Sequence, residues 1–262
     1  VACNIFIMEM ATRNLIDIHV AHDMRDILQA FHMHYSVRKI GRLIFALATG
    51  FVLVHFISGY AAAVDGNGPS LAGRMHHNFR LDRDGAIPEY FGHGLMFLTA
   101  TMLLQAYFVT GRRVFVPLAT VAAYIWLDDA LQYHERLGSW IGSQLTIVPP
   151  EGLRMQELGE LAAWAIAGCV LAPLILWGFW RTGRLDRLIG AMALLPILAL
   201  VLCGAGFDIL HTRLAELPVW ISGGIEDGGE LLALSAFAVF ALGVVRLSVG
   251  REIAPAAYHP AE

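Results

Sequence analysis

The chain is poor in charged residues. Only 15% of its 262 residues are Asp, Glu, Lys or Arg, whereas roughly a quarter are charged in an average soluble domain. Hydrophobic residues make up 57% of the chain, and the mean hydropathy is +0.59. This composition is typical of a polytopic membrane protein and excludes an ordinary soluble globular domain. We expect no nucleic-acid partner.

The chain also has few cysteines, and its first residues do not predict a leader. Cys3, Cys169 and Cys203 do not have the close spacing of a metal-binding motif, and two of them lie within apolar runs. They predict small core residues and not a disulfide framework. The first residues lack a charged segment followed by a long apolar stretch and a cleavage site, so no cleavable signal peptide is expected.

Long apolar runs predict an all-α membrane helix bundle. A spanning helix needs about 20 apolar residues, and six runs satisfy this requirement. They cover residues 40–64, 88–110, 114–134, 160–180, 188–211 and 230–248. Residues 11–35 instead mix charges with apolar residues at helical spacing, which indicates an amphipathic surface helix. We therefore predict an N-terminal extension at 1–37, a transmembrane domain at 38–250 and a tail at 251–262.

Basic residues are unevenly divided between the two ends of the predicted bundle. Twelve of the 18 Lys and Arg residues fall on the side of both termini, and six fall on the other side. Because cytoplasmic loops are enriched in Lys and Arg, the termini are predicted to be cytoplasmic. Fifteen of the 22 acidic residues fall on the opposite, extracytoplasmic side.

Acidic residues and histidines gather at the extracytoplasmic ends of the predicted spans. They occur in four segments, 128–135, 157–160, 208–211 and 226–230. Ionisable groups inside a membrane are costly, so their presence is by default a hypothesis about function. Residues three, four or seven positions apart share a helix face, so each segment can project a pair of side chains inward.

The first interpretation of this cluster is a metal site. Carboxylates and imidazoles on facing helices hold the ions of di-iron and di-manganese bundles. Several adjacent carboxylates would also repel one another unless a cation neutralises them. Zinc, iron or manganese suits such a nitrogen and oxygen ligand set. The predicted ligands are Asp128, Glu135, Glu160, Asp208, His211 and Glu230.

The second interpretation is a structural polar network. Acidic residues at helix N-termini complement the helix dipole and cap exposed N–H groups, and Glu157, Glu226 and Asp227 suit that role. Other acids of the cluster can form ion pairs at the membrane interface. The arginines nearest to them in the sequence are Arg136, Arg154 and Arg213.

Two isolated histidines and one loop complete the polar set. His55 and His93 are candidate axial ligands of a haem, but haem is disfavoured because the chain has no Cys-x-x-Cys-His motif. A histidine inside a span more often donates one hydrogen bond across a helix pair. The segment 76–91 is predicted to turn at Asp84-Gly85 and to place Pro88 in a first helical turn. It is either a lid over the cluster or a tie between two helices.

Two motifs carry a resemblance to a known family. They are Phe79-x-Leu-Asp-x-Asp-x-x-Ile-Pro-x-x-Phe91 and Leu127-Asp-Asp-Ala-x-x-x-His-Glu135. They resemble F-x-L-D-x-E-x-N-I-P-T-W-F and L-D-E-A-x-x-x-H-E in a family of uncharacterised multipass bacterial membrane proteins, and they depart from it at Asp84, Ala86 and Asp129. The resemblance implies a bacterial inner membrane and brings no established activity. The alkaline ceramidase-like membrane hydrolases do not match, because the spans lack their His-x-x-x-His pair.

These patterns leave two functions open, one of them enzymatic. The first is a metalloprotein that acts on a lipid or other apolar substrate from the outer leaflet. The second is a non-catalytic accessory subunit of an energy-converting or transport complex, in which residues 1–37 contact other membrane subunits. Transport through the bundle itself is less favoured, because the cytoplasmic halves of the spans have no acidic residues to continue a proton path. In each case the lipid bilayer surrounds the helices.

Overall fold

The structure, a computed structural model, describes residues 35–65, 70–149, 154–180, 182–211 and 218–253. These residues form eight helices, which confirms the predicted all-α class. In chain order the helices are α1 Tyr35–Val64, α2 Leu71–Phe79, α3 Ile87–Thr110, α4 Phe115–Leu131, α5 Tyr133–Gln144, α6 Met155–Phe179, α7 Arg184–His211 and α8 Val219–Ile253. The amphipathic helix predicted at 11–35 lies, apart from its last residue, outside the described residues, and so does most of the predicted tail.

Five of these helices are long and apolar enough to cross a membrane. They are α1, α3, α6, α7 and α8, and the mean hydropathy of their apolar windows ranges from 1.2 to 2.2. The remaining predicted span, residues 114–134, corresponds to α4, which has 17 residues. At about 1.5 Å per residue, α4 is roughly 25 Å long, shorter than a hydrocarbon core of about 30 Å.

Helix α8 forms the centre of the bundle. Of its apolar window 61% is buried, against 11% for α6. It packs against α1, α3 and α7, while α4 packs against α3 and α6. The largest fully buried side chains include Met96, Leu103, Phe115 and Phe237. In a bilayer these contacts stabilise the bundle through close packing rather than through removal of apolar surface from water.

A break at Gln132 separates α4 from α5. Gln132 has φ 51° and ψ 42°, a left-handed conformation that is uncommon for a residue other than glycine. Asp128 stabilises the break, because its Oδ1 accepts a hydrogen bond from the backbone N–H of His134 at 3.0 Å. The prediction that Asp128 and Glu135 share one face of a continuous helix is therefore wrong.

Glycines allow α5 to pack directly on the first turns of α6. A Cβ atom on Gly142 would lie 2.6 Å from the carbonyl oxygen of Met155, and one on Gly159 would collide with the carbonyl oxygen of Gly138. Small residues that let two backbones approach this closely are typical of helix contacts in membrane proteins. This contact holds the start of α6 beside the break at Gln132.

The starts of α6 and α8 test the predicted helix caps. Glu157 caps the start of α6, since its Oε2 accepts a hydrogen bond from the backbone N–H of Arg154 at 2.7 Å, and its predicted capping role is confirmed. Helix α8 begins at Val219, so Glu226 and Asp227 lie about two turns inside it. Their predicted role as N-terminal caps is wrong, because the apolar Val219, Trp220 and Ile221 form the first turn before them.

Candidate functional site

The connection between α2 and α3 crosses one end of the bundle, called here the polar end. It turns at Gly85, whose φ of 75° confirms the predicted turn, and Pro88 lies in the first turn of α3 as expected. The backbone N–H of Leu81 donates to Nδ1 of His55 at 3.0 Å, and Gln132 Nε2 donates to Asp84 Oδ2 at 2.5 Å. The segment therefore ties α1 to the break between α4 and α5.

His55 is fully buried, and backbone groups occupy both of its ring nitrogens. Nδ1 accepts from Leu81 N–H, so it carries no proton, and the protonated Nε2 donates to the carbonyl oxygen of Trp220 at 2.7 Å. A Cβ atom on Gly224 would lie 2.6 Å from Nε2, so only glycine lets α8 approach this closely. Because neither nitrogen is open, His55 joins α1, the connection and α8 and does not suit the role of a haem ligand.

An ion pair holds the start of the same connection. Arg80 Nε donates to Asp82 Oδ1 at 2.9 Å, and Nη2 donates to Oδ2 at 2.5 Å, a bidentate arrangement. Burial by itself would raise the pKa of Asp82, but the hydrogen bonds and positive charge of Arg80 outweigh burial and hold this pKa below its ordinary range. Asp82 is therefore ionised near neutral pH, and it packs against Gly223 of α8.

A second polar group surrounds His134 at the start of α5. Its Nδ1 lies 2.9 Å from Asp128 Oδ2, and its ring packs at a tilt against Trp164, with 5.4 Å between the centroids. Burial by itself would lower the pKa of His134, but the hydrogen bond and charge of Asp128 outweigh it, helped by Glu135 and Glu160, so this pKa is raised. The structure thus brings three of the predicted ligands around one histidine.

Asp128 and Glu160 are themselves engaged within the protein. Asp128 is buried and accepts from the hydroxyl of Tyr124 at 3.3 Å in addition to its two bonds with His134. Glu160 Oε1 accepts from Gln156 Nε2 at 2.8 Å. Burial, together with the charges of Asp84, Asp129 and Asp128, raises the pKa of Glu135. Arg154, a candidate partner for this group, pairs with Glu157 at 2.6 Å.

Four carboxylates line a cleft between α3, α4 and α8. They are Glu89 from α3, Asp129 from α4, and Asp227 and Glu230 from α8, and they define the carboxylate cleft. Its volume is about 70 Å³, and its apolar walls include Leu81, Pro88, Leu231 and Leu234. Neither Lys nor Arg is among the described residues that line it. A volume of this size accommodates a few waters or a small hydrated ion, whereas pockets for drug-sized ligands measure about 300 Å³ or more.

His93 lies beside this cleft, one helical turn after Glu89. Its Nε2 is 2.8 Å from Asp129 Oδ2 and 3.8 Å from Glu89 Oε1, so one imidazole stands between two carboxylates of different helices. The other oxygen of Glu89 accepts from the backbone N–H of Gly85. The connection before α3 thus fixes one wall of the cleft, and His93 fixes another.

The six predicted ligands do not form one cluster. Glu230 lines the carboxylate cleft, while Asp128, Glu135 and Glu160 lie around His134. Asp208 and His211 belong to the last turns of α7, but their side chains lie outside the described part of the chain. Within the described residues, no three His, Cys, Asp or Glu side chains lie close enough to hold a metal ion directly between them.

The residues that join Glu230 in the cleft were not among the predicted ligands. The spacing of Glu89 and His93 already places them on one helix face, so part of the signal was present in the sequence. Asp227 resembles a helix cap until the true start of α8 is known. Asp129 adjoins Asp128, and only the packing of α4 shows that these neighbours enter different polar groups.

The fold and this end of the bundle define a class, a multipass helical membrane protein with a polar layer at one end of its helices. Within that class, the chain belongs to a family described as a domain of unknown function (DUF8692), whose model matches residues 41–244. This agrees with the expectation of an uncharacterised family, while the two motifs as marks of that family and the bacterial origin stay predictions. Comparisons with curated proteins and with solved structures give no match.

Proposed function

We propose that this membrane protein binds a small hydrated divalent cation in the carboxylate cleft. The observation that carries the proposal is the convergence of Glu89, Asp129, Asp227 and Glu230 from three helices on about 70 Å³ of space. Carboxylates crowded in this way repel one another unless protons or a cation neutralise them. His93 compensates at most one of the four charges. Outside the lining, the charge of Arg80 also acts on Asp227.

The chemistry of the donors favours manganese among the predicted metals. Carboxylate oxygens and water suit manganese and other hard cations, whereas zinc prefers a closed tetrahedral set of nitrogen and sulfur ligands. Because the carboxylates do not meet closely enough to share a bare ion, the ion keeps part of its hydration shell in this proposal. The cleft is small for a lipid substrate, so the proposed function is cation binding rather than lipid hydrolysis.

Manganese binding tests the proposal. We expect the purified full-length protein to bind Mn²⁺ in equilibrium dialysis, and the double variant Glu89→Gln with Glu230→Gln to bind it at least about tenfold more weakly, because two ligand charges are removed. Asp65→Asn is the control, since this exposed carboxylate after α1 does not line the cleft. All three proteins must elute as single species. Wild-type protein that binds no Mn²⁺, or a double variant with unchanged affinity, contradicts the proposal.

One observation favours the alternative, a non-catalytic accessory subunit whose polar layer is structural. Buried polar groups at this end bind other groups of the same chain: His55 binds two backbone groups, and Asp128 binds His134 and Tyr124. In this alternative the network orients the helices, and the activity belongs to a partner. The manganese measurement separates the two candidates, because a purely structural network folds without an ion and shows no affinity that depends on Glu89 and Glu230.

A further inference from the structure

We propose that the end of the bundle opposite the carboxylate cleft holds the headgroup of an anionic phospholipid. Two short connections meet there, residues 111–114 between α3 and α4, and the described residues 180, 182 and 183 between α6 and α7. Arg112 Nη1 lies 3.0 Å from Asp186 Oδ1 and joins the first connection to the start of α7. A Cβ atom on Gly178 would lie 2.9 Å from Pro117 Cδ, so the end of α6 packs closely against α4. We call this region the arginine end.

The arginine end is positively charged. The described residues of the two connections and the first turn of α7 carry four arginines, Arg112, Arg113, Arg184 and Arg187, and one acid, Asp186. Arg112 is paired with Asp186, and the four arginines and one acid together give a net positive charge. Basic clusters at the membrane surface attract anionic headgroups, and arginine binds phosphate through two parallel hydrogen bonds.

The turn that carries Arg112 and Arg113 is preorganised for binding. Gly111 ends α3 in a left-handed conformation with φ 66°, and the connection is only four residues long. Its last residue, Val114, and the following Phe115 are fully buried, which anchors the turn in the core. Arg112 and Arg113 therefore project from a rigid turn, and less conformational entropy is lost when they bind an anion.

The arginines lie at the depth of the lipid headgroups. The guanidinium carbon of Arg113 lies 5.8 Å from the ring centroid of Trp177. A guanidinium over an aromatic face can still donate hydrogen bonds in its own plane. Trp177 and Trp180 are 45% and 65% exposed, and exposed tryptophans at the ends of spans lie at the boundary between hydrocarbon and headgroups.

The apolar surface beside the arginines favours a lipid over a free anion. Helices α6 and α7 make few contacts with each other, and only 11% and 22% of their apolar windows are buried. Exposed apolar side chains, among them Leu176, Leu194 and Leu198, extend from the arginine end along these two helices. Acyl chains can pack along this apolar surface while the phosphate contacts the arginines. The site is at the other end of the bundle from the carboxylate cleft and does not depend on cation binding.

Lipid retention tests the proposal. Purified full-length protein in a mild detergent is mixed with phosphatidylglycerol or phosphatidylcholine, and the bound lipid is counted by native mass spectrometry. We expect at least about fivefold more phosphatidylglycerol than phosphatidylcholine on the wild-type protein, the factor that one favourable arginine supplies. The double variant Arg113→Gln with Arg187→Gln should retain the two lipids equally.

The matched control removes two exposed arginines from the polar end. Arg74→Gln with Arg136→Gln changes the net charge equally and should keep the wild-type preference. Equal retention of both lipids by the wild-type protein, or an undiminished preference in the Arg113 and Arg187 variant, overturns the proposal. Displacement of the lipid by inorganic phosphate at the same concentration also overturns it, because a free anion is then sufficient. If the double variant does not fold, the wild-type protein tests the proposal by itself. Its preference for phosphatidylglycerol should be lost at high salt, and a preference that persists at high salt overturns the proposal.

Discussion

His55 shows how one side chain can hold three parts of this bundle together. Its ring accepts a hydrogen bond from the connection before α3 and donates one to the first turn of α8, with no exposed surface. A buried N–H or carbonyl that loses its partner costs about 1–3 kcal/mol. The imidazole therefore contributes to stability mainly by satisfying the buried N–H of Leu81 and by joining it to the carbonyl of Trp220.

We expect His55→Ala to lower stability by about 2–5 kcal/mol, because it leaves the buried N–H of Leu81 unpaired, removes the bond to the Trp220 carbonyl and opens a cavity. Thermal unfolding in detergent, followed by tryptophan fluorescence, measures the effect as a lower midpoint. His77→Ala is the control, since His77 is exposed on α2. Equal midpoints for the two variants would show that the His55 bonds are dispensable.

The Arg80 and Asp82 pair makes stability depend on pH. The pKa of Asp82 is lowered in the folded protein, so its contribution is complete above the ordinary carboxylate pKa and is lost as pH falls through the folded value. We expect Asp82→Asn to lower stability by about 1–2 kcal/mol at pH 7. Below about pH 4 the difference from wild type should shrink, because Asp82 of the unfolded wild-type chain then takes up a proton, which lowers the free energy of the unfolded state.

Unfolding midpoints of both proteins between pH 7 and pH 3 check this expectation. Asp65→Asn provides the reference for general acid effects, because Asp65 is exposed. A gap between wild type and Asp82→Asn that is constant down to pH 3 would argue against a stabilising ionised pair.

At the scale of elements, the contact between α5 and α6 depends on glycines, which have no side chain to keep the two backbones apart. We expect Gly159→Ala to destabilise the protein by about 1–3 kcal/mol, since the new methyl group meets the carbonyl oxygen of Gly138 and backbone cannot rotate away as a side chain can. Gly168→Ala, in the same helix with open space around it, should be neutral or slightly stabilising. Midpoints of thermal unfolding compare the two variants, and equal values would contradict the close contact.

The long apolar helices were predictable from the sequence, whereas the helix break and the start of α8 were not. Apolar runs of about 20 residues show α1, α3, α6 and α7 clearly, because each is a continuous lipid-facing helix. The break between α4 and α5 was missed, since neither glycine nor proline marks it. There the side chain of Asp128 caps the new helix, and Gln132 adopts a conformation that its residue type does not favour. The start of α8 was placed too late, because Glu226, Asp227 and Glu230 resemble a boundary when only hydropathy is considered.

At the scale of the whole molecule, the two ends of the bundle differ in chemistry. The polar end carries carboxylates from α3, α4, α5, α6 and α8 and histidines from α1, α3 and α5, and the arginine end carries the basic connections. Basic residues toward the cytoplasm and acidic residues away from it are the distribution that the topology prediction assumes. The proposed cation site and the proposed lipid site thus lie at opposite ends of one bundle.

The sequence alone determined the class of protein and the ends at which its charges lie, because hydropathy and the order of charges along the chain are one-dimensional properties. It could not determine which polar residues meet, since this depends on how helices rotate and where they break. Only the tertiary structure showed that Asp128 and Asp129 have different partners. Asp128 contacts His134, whereas Asp129 contacts His93 and lines the carboxylate cleft. Neighbours in sequence point to different helix faces, so their partners are fixed by packing.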